Sequence, residues 1–145
     1  MAISMSTGLR NELLAGDSLK GIFDPGSEIR IYGGTVPASA NDAIGSATLL
    51  CTIKNGASGV TFAAAAVNGV LEKNSTETWT GTVGTSGTAT FYRHVLTGDT
   101  DAASTTAPRY QGTVAVAGAD MNLTNPALLA AAVQTLDYYA AAING

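Results

Sequence analysis

A period of two runs through this chain and keeps restarting after breaks rich in glycine and asparagine. Glu28-Ile29-Arg30-Ile31-Tyr32 places Ile29 and Ile31 on one face, and Ala47, Leu49, Cys51 and Ile53 repeat the pattern. From Ala89 onward, Ala89, Phe91, Arg93 and Val95 share one face while Thr90, Tyr92, His94 and Leu96 share the other. Tyr110, Gly112, Val114 and Val116 alternate again. Side chains that change face at every residue belong to strands, not helices. The breaks carry turn chemistry: Gly33-Gly34, Asn55-Gly56, Asn68-Gly69 and Gly84-Thr85-Ser86-Gly87. Residues 76–83, with Trp79, read as a strand that returns through residues 84–87 into 88–96 as a hairpin. Seven or eight such strands imply a mainly all-β chain, a single jelly-roll-like β-sandwich.

The two ends read differently. Ser6 or Thr7 can cap a short helix carrying Leu9, Leu13 and Leu14, with Gly16 to end it. A second turn follows at residues 18–23 before Asp24-Pro25-Gly26. Residues 1–26 therefore form an N-terminal helical arm, or a lid on the core, ahead of a β-sandwich domain at 27–145. Near the other end, Asn125-Pro126 is a good helix start for the alanine-rich run that follows. The same region, residues 133–139, also alternates as a strand. A lone helix there would need a sheet face to cover, which favours the strand and sends Tyr138 and Tyr139 to opposite faces.

Composition narrows the function. Of 145 residues 46% are hydrophobic, so a real core is available. Only 12% are charged, about half the usual share of roughly 25%. Such a surface suits one largely covered by a partner. The net charge is −4 and the seven Lys and Arg are scattered, which argues against a nucleic-acid partner. No apolar run reaches the eighteen or so residues of a membrane span, and the start has no signal-type apolar segment.

Positive support for catalysis is absent. One cysteine, Cys51, and one histidine, His94, cannot build a metal cluster, and Cys51 reads as a small buried hydrophobe. His94 would be the base of any nucleophilic triad, yet no Gly-x-Ser-x-Gly elbow accompanies it. It reads as a half-exposed strand histidine, facing away from Arg93. Asp99-Thr100-Asp101 lacks the glycine and final glutamate of a calcium loop and reads as a solvated loop. Nothing makes a phosphate-binding loop. The expectation is a protein that is not an enzyme, with no cofactor and no metal.

STGLRNELLAGDSLKGIF, EIRIYGGTVP, ATLLCTIKNGASGVTF, GTATFYRHVLTGDTDAASTTAPRYQGTV and ADMNLTN lie between residues 6 and 125, within a likeness that runs from about residue 6 to 139. As a set they resemble a family of small structural proteins of tailed bacteriophages, of the head decoration or cement type. The resemblance brings no catalytic residues. It implies a virion component on the capsid surface, assembled in the host cytoplasm, that binds the outside of the major capsid protein shell and stabilises it. It also implies self-association as dimers or trimers on the shell. The expected contact residues are Leu9, Leu13, Leu14 and Phe23 near the start and Tyr110, Tyr138 and Tyr139 later. One alternative is a tail- or fibre-associated adaptor. Another is a carbohydrate- or receptor-binding module, which needs an exposed aromatic platform; Trp79 and scattered tyrosines are what the sequence offers.

Overall fold

The computed structural model describes residues 3–143. A short strand β1 (Ser4–Met5) leads into helices α1 (Thr7–Ala15) and α2 (Leu19–Phe23). Then come β2 (Ser27–Gly33), β3 (Thr48–Ile53), β4 (Val70–Glu72), β5 (Trp79–Thr82), β6 (Gly87–Leu96) and β7 (Arg109–Ala115). Strands β8 (Met121–Asn122), β9 (Ala127–Leu128), β10 (Val133–Leu136) and β11 (Ala140–Ala142) complete the order. The chain is mainly β and sandwich-like, with a short helix near its N-terminal end, as the alternation implies. The strands outnumber the seven or eight expected because several are only two or three residues long.

The main sheet runs β1-β7-β6-β2-β3, with β8 added to β7 and β9 to β6. Two ladders, β10-β5 and β11-β4, lie outside it. Bridges Cys51–Val83 and Lys54–Thr80 carry the pairing from β3 onto β5, so the sheet curls over on itself. Ile29, Ile31, Trp79, Tyr92, Leu136 and Tyr139 fill the enclosed space as one core. Each such side chain contributes ~1.5–3 kcal/mol through removal from water. The outer face of the sheet carries a smaller cluster, Tyr32, Ala47 and Phe91, under the loop that holds Val36 and Ile44.

The helical segment is a lid on this core. Ser6 caps α1 by accepting from the Leu9 amide at 3.1 Å. Its hydroxyl, fully buried, also donates to the Ala107 carbonyl and accepts from the Arg109 amide, which ties the helix start to the entry of β7. Gly16, with φ 115, ends the helix in the left-handed conformation. The two ends of the described chain meet on one residue of β7. Met5 pairs with Tyr110, and the Tyr110 hydroxyl donates to the Ala142 carbonyl and accepts from its amide, both at 3.0 Å.

Two pairings differ from the sequence reading. Residues 79–82 do not return on residues 88–96: β5 pairs with β10, while β6 lies between β2 and β7. Turn residues mark a change of direction but do not name the partner strand. Gly81 is what lets β5 also close on β3: a Cβ there would lie 2.0 Å from the Thr52 carbonyl oxygen and 3.0 Å from the Cys51 sulfur. We expect Gly81→Ala to cost ~1–3 kcal/mol or more through this clash. An unchanged thermal midpoint would show that β5 does not close on β3. Second, the register slips between Ile31 and Tyr32, whose partners are Cys51 and Leu49. The extra residue, Leu50, turns into the core beside Cys51, and Leu49 is left exposed.

Candidate functional site

Three places bring chemistry-bearing side chains together. The first is inside the core. The Ser27 hydroxyl lies 2.8 Å from His94 Nε2, and the Tyr139 hydroxyl lies 3.3 Å from His94 Nδ1. Distance alone resembles a nucleophile and its base. Access decides otherwise: Ser27 is wholly buried, His94 is 1% exposed, and no carboxylate orients the ring. Phe23 stacks on the imidazole at 4.4 Å and Phe62 tilts against it at 5.3 Å. Burial pushes the His94 pKa down to about 3, so the ring is neutral. The expected half-exposed histidine is thus a core residue, because α2 brings Phe23 down over that face of β6.

The second place is the outer face of the sheet, and it overturns the solvated-loop reading of Asp99 and Asp101. Arg109 grips Asp99 with two bonds, Nε to Oδ2 at 2.7 Å and Nη2 to Oδ1 at 2.9 Å. Burial by itself would raise the Asp99 pKa, but the hydrogen bonds from Arg109 outweigh it and hold the carboxyl below its usual value. Asp101 accepts from Arg30 at 3.0 Å and from the Tyr32 hydroxyl at 2.7 Å. Arg93, on the middle strand, bonds Gln111 and the Asp42 carbonyl. Burial, then the charge of nearby Arg109, lowers its pKa. Arg93 and His94 do face opposite ways, as the alternation requires. The cluster pins the loops at 36–46 and 99–108 against the sheet. Arg93 and Arg109 are buried within it, while Asp101 keeps partial contact with solvent.

The third is the solvent surface. Ala64, Ala65, Ala66 and Val67 are all exposed, and so are Leu129, Ala130, Ala131, Ala132 and Val133. Five exposed apolar residues in a row are unusual for a surface that faces only water. Both runs sit at turns: Asn68 and Gly69 have positive φ after the first, and Ala131 adopts φ 71 within the second. β10, which follows the second run, pairs with β5 on one side only. Among the expected contact residues, Leu14 and Tyr138 are exposed, at 87% and 67%, and Leu13 is half-buried. Leu9, Phe23, Tyr110 and Tyr139 must be corrected: each is at most 3% exposed and belongs to the core. Trp79 is wholly buried, with its indole N–H on Glu77, so it is no platform for a ligand. Tyr138 is exposed and Tyr139 buried, but the strand expected over 133–139 ends at Leu136 and both tyrosines lie between β10 and β11.

No protein-family model, no curated protein and no solved structure matches this chain.

Sequence reading missed both apolar loops. Their signal, alanine runs ending in valine, was present. Alanine is compatible with helix, strand and loop, so the runs carry no period to read. Among the described residues no three His, Cys, Asp or Glu side chains gather as a metal site, and Cys51 is buried, its thiol pushed up to about 11.

Proposed function

We propose that this protein is a bacteriophage virion structural protein, a capsid decoration protein that binds the outside of the major capsid protein shell and stabilises it. The observation that carries the reading is the exposed apolar run 129–133 beside the one-sided strand β10. Covering it removes apolar surface from water at about 25 cal/mol per Å². The second run, 64–67, and Leu14 add further apolar contact. The resemblance of the sequence to small phage structural proteins supplies the partner. Many copies on a symmetric lattice turn modest contacts into firm attachment, and dimers or trimers of the protein on the shell fit the same scheme.

The test is sedimentation of the purified protein with shells stripped of it. We expect saturable, near-stoichiometric binding to the major capsid protein and greater resistance of the shell to heat. Leu129→Glu, an exposed position, should abolish binding without lowering the protein's own thermal midpoint. Absence of shell binding, with a few copies per particle instead, would move the protein to the tail as an adaptor.

A further inference from the structure

One exposed aromatic ring stands apart from the rest. The chain has nine Phe, Trp and Tyr residues. Eight of them are at most 3% exposed, whereas Tyr138 is 67% exposed. Tyr138 lines a cleft of about 500 Å³ between residues 120–125 and 134–140. That volume falls in the range of small-molecule clefts, about 300–1,000 Å³. The residues of the apolar run 129–133 do not line it.

The polar side chains in this cleft are held but not used up. Asn122 and Asn125 accept from backbone amides, those of Ala119 at 3.2 Å and Ala127 at 3.0 Å. Each amide oxygen is thereby fixed, and each amide nitrogen keeps both donors free of partners among the described residues. Gln134 is the reverse: its nitrogen donates to the Thr135 carbonyl at 2.9 Å, which leaves its oxygen as a fixed acceptor. The exposed Asp137 carboxylate adds acceptors without a protein partner among the described residues. The Tyr138 hydroxyl reaches Glu72 at 3.4 Å, which steadies the ring at the rim.

Charge narrows the ligand. Asp120 and Asp137 line the cleft and no Lys or Arg does, so phosphate, sulfate and acidic sugars are disfavoured. What fits fixed donors, fixed acceptors and a ring face is a molecule with many neutral hydroxyls and patches of C–H. We propose that this cleft binds a neutral saccharide. The Tyr138 ring packs on the C–H face of a sugar, and Asn122, Asn125, Gln134 and Asp137 bond its hydroxyls. A single such site is weak; many copies on one particle would make it adhesive to a glycan-coated surface. This role goes beyond shell binding and does not depend on it.

The experiment uses the free full chain. A broad glycan array is followed by two-dimensional amide NMR titration with maltotriose, lactose and chitotriose at millimolar concentration, together with any array hit. Expected are saturable shifts confined to residues 120–125 and 134–140. Tyr138→Ala should weaken binding about tenfold or more at an unchanged thermal midpoint, while Tyr138→Phe, which keeps the ring, should retain it. A silent array with no shifts overturns the proposal, as do shifts that survive Tyr138→Ala. Loss of shell binding in Tyr138→Ala with no response to any saccharide would also overturn it, and would make the cleft a protein contact.

Discussion

Arg109→Ala should lower stability by about 3–5 kcal/mol, among the largest effects of any single change in this protein. The reason is burial. The Arg109 and Asp99 side chains are 1% and 2% exposed, so truncating the arginine leaves a carboxylate with little water to solvate it. The loss spreads beyond the pair. Arg109 also donates to the carbonyls of Ala102 at 2.7 Å and Ala40 at 3.3 Å, so two covering loops lose their anchor together. The pair itself is not the source of net stability, since desolvating two charges offsets much of their attraction. Hence the double change Arg109→Met with Asp99→Leu should recover a large part of the loss. Urea unfolding at neutral pH measures both. A single-mutant loss under about 1 kcal/mol would mean that the pair behaves as a solvated surface bridge.

Mild acid should destabilise the protein through His94 before the carboxylates respond. Above an unfolded value of 6.5 the ring is neutral in both states and has no effect. As pH falls below 6.5, the unfolded chain takes up a proton that the folded core, with a pKa of about 3, refuses. Each pH unit in that window then costs ~1.4 kcal/mol, so about 2–3 kcal/mol is gone near pH 4.5. No compensating charge is at hand: the ring's contacts are Phe23, Phe62, Tyr139 and the Ser27 hydroxyl. The control is His94→Phe, which loses the Ser27 bond but cannot titrate. Its urea midpoint should be lower than wild type at neutral pH and nearly flat between pH 6.5 and 5. An equal slope in both proteins would assign the acid response to other groups.

The parts of the fold that were legible in the sequence are those fixed locally. Period two located β2, β6 and β7, and it set Arg93 against His94. The caps at Ser6 and Gly16 follow from side-chain and backbone chemistry within one helical turn. What was not legible depends on partners far along the chain. Arg30 and Asp101 meet across 71 residues, and no pattern near either names the other. The inward turn of Leu50 comes from a slipped register with β2, which alternation by itself cannot register. Exposure was only partly legible. Leu14 and Tyr138 have the exposure a contact needs, whereas Leu9, Phe23, Tyr110 and Tyr139 are core, because a large apolar side chain serves a core and an interface equally well.

The meeting of both ends on Tyr110 bears on how the chain is born. The ladder partners of β4 and β5 are β11 and β10, which are made much later in the chain. Until residue 142 clears the ribosome, the nascent chain holds open ladder edges and a core that lacks Leu136 and Tyr139. Synthesis at about 5–20 residues per second leaves that state exposed for seconds. A copy truncated before residue 133 would lack both ladder partners and would leave those edges of β4 and β5 open.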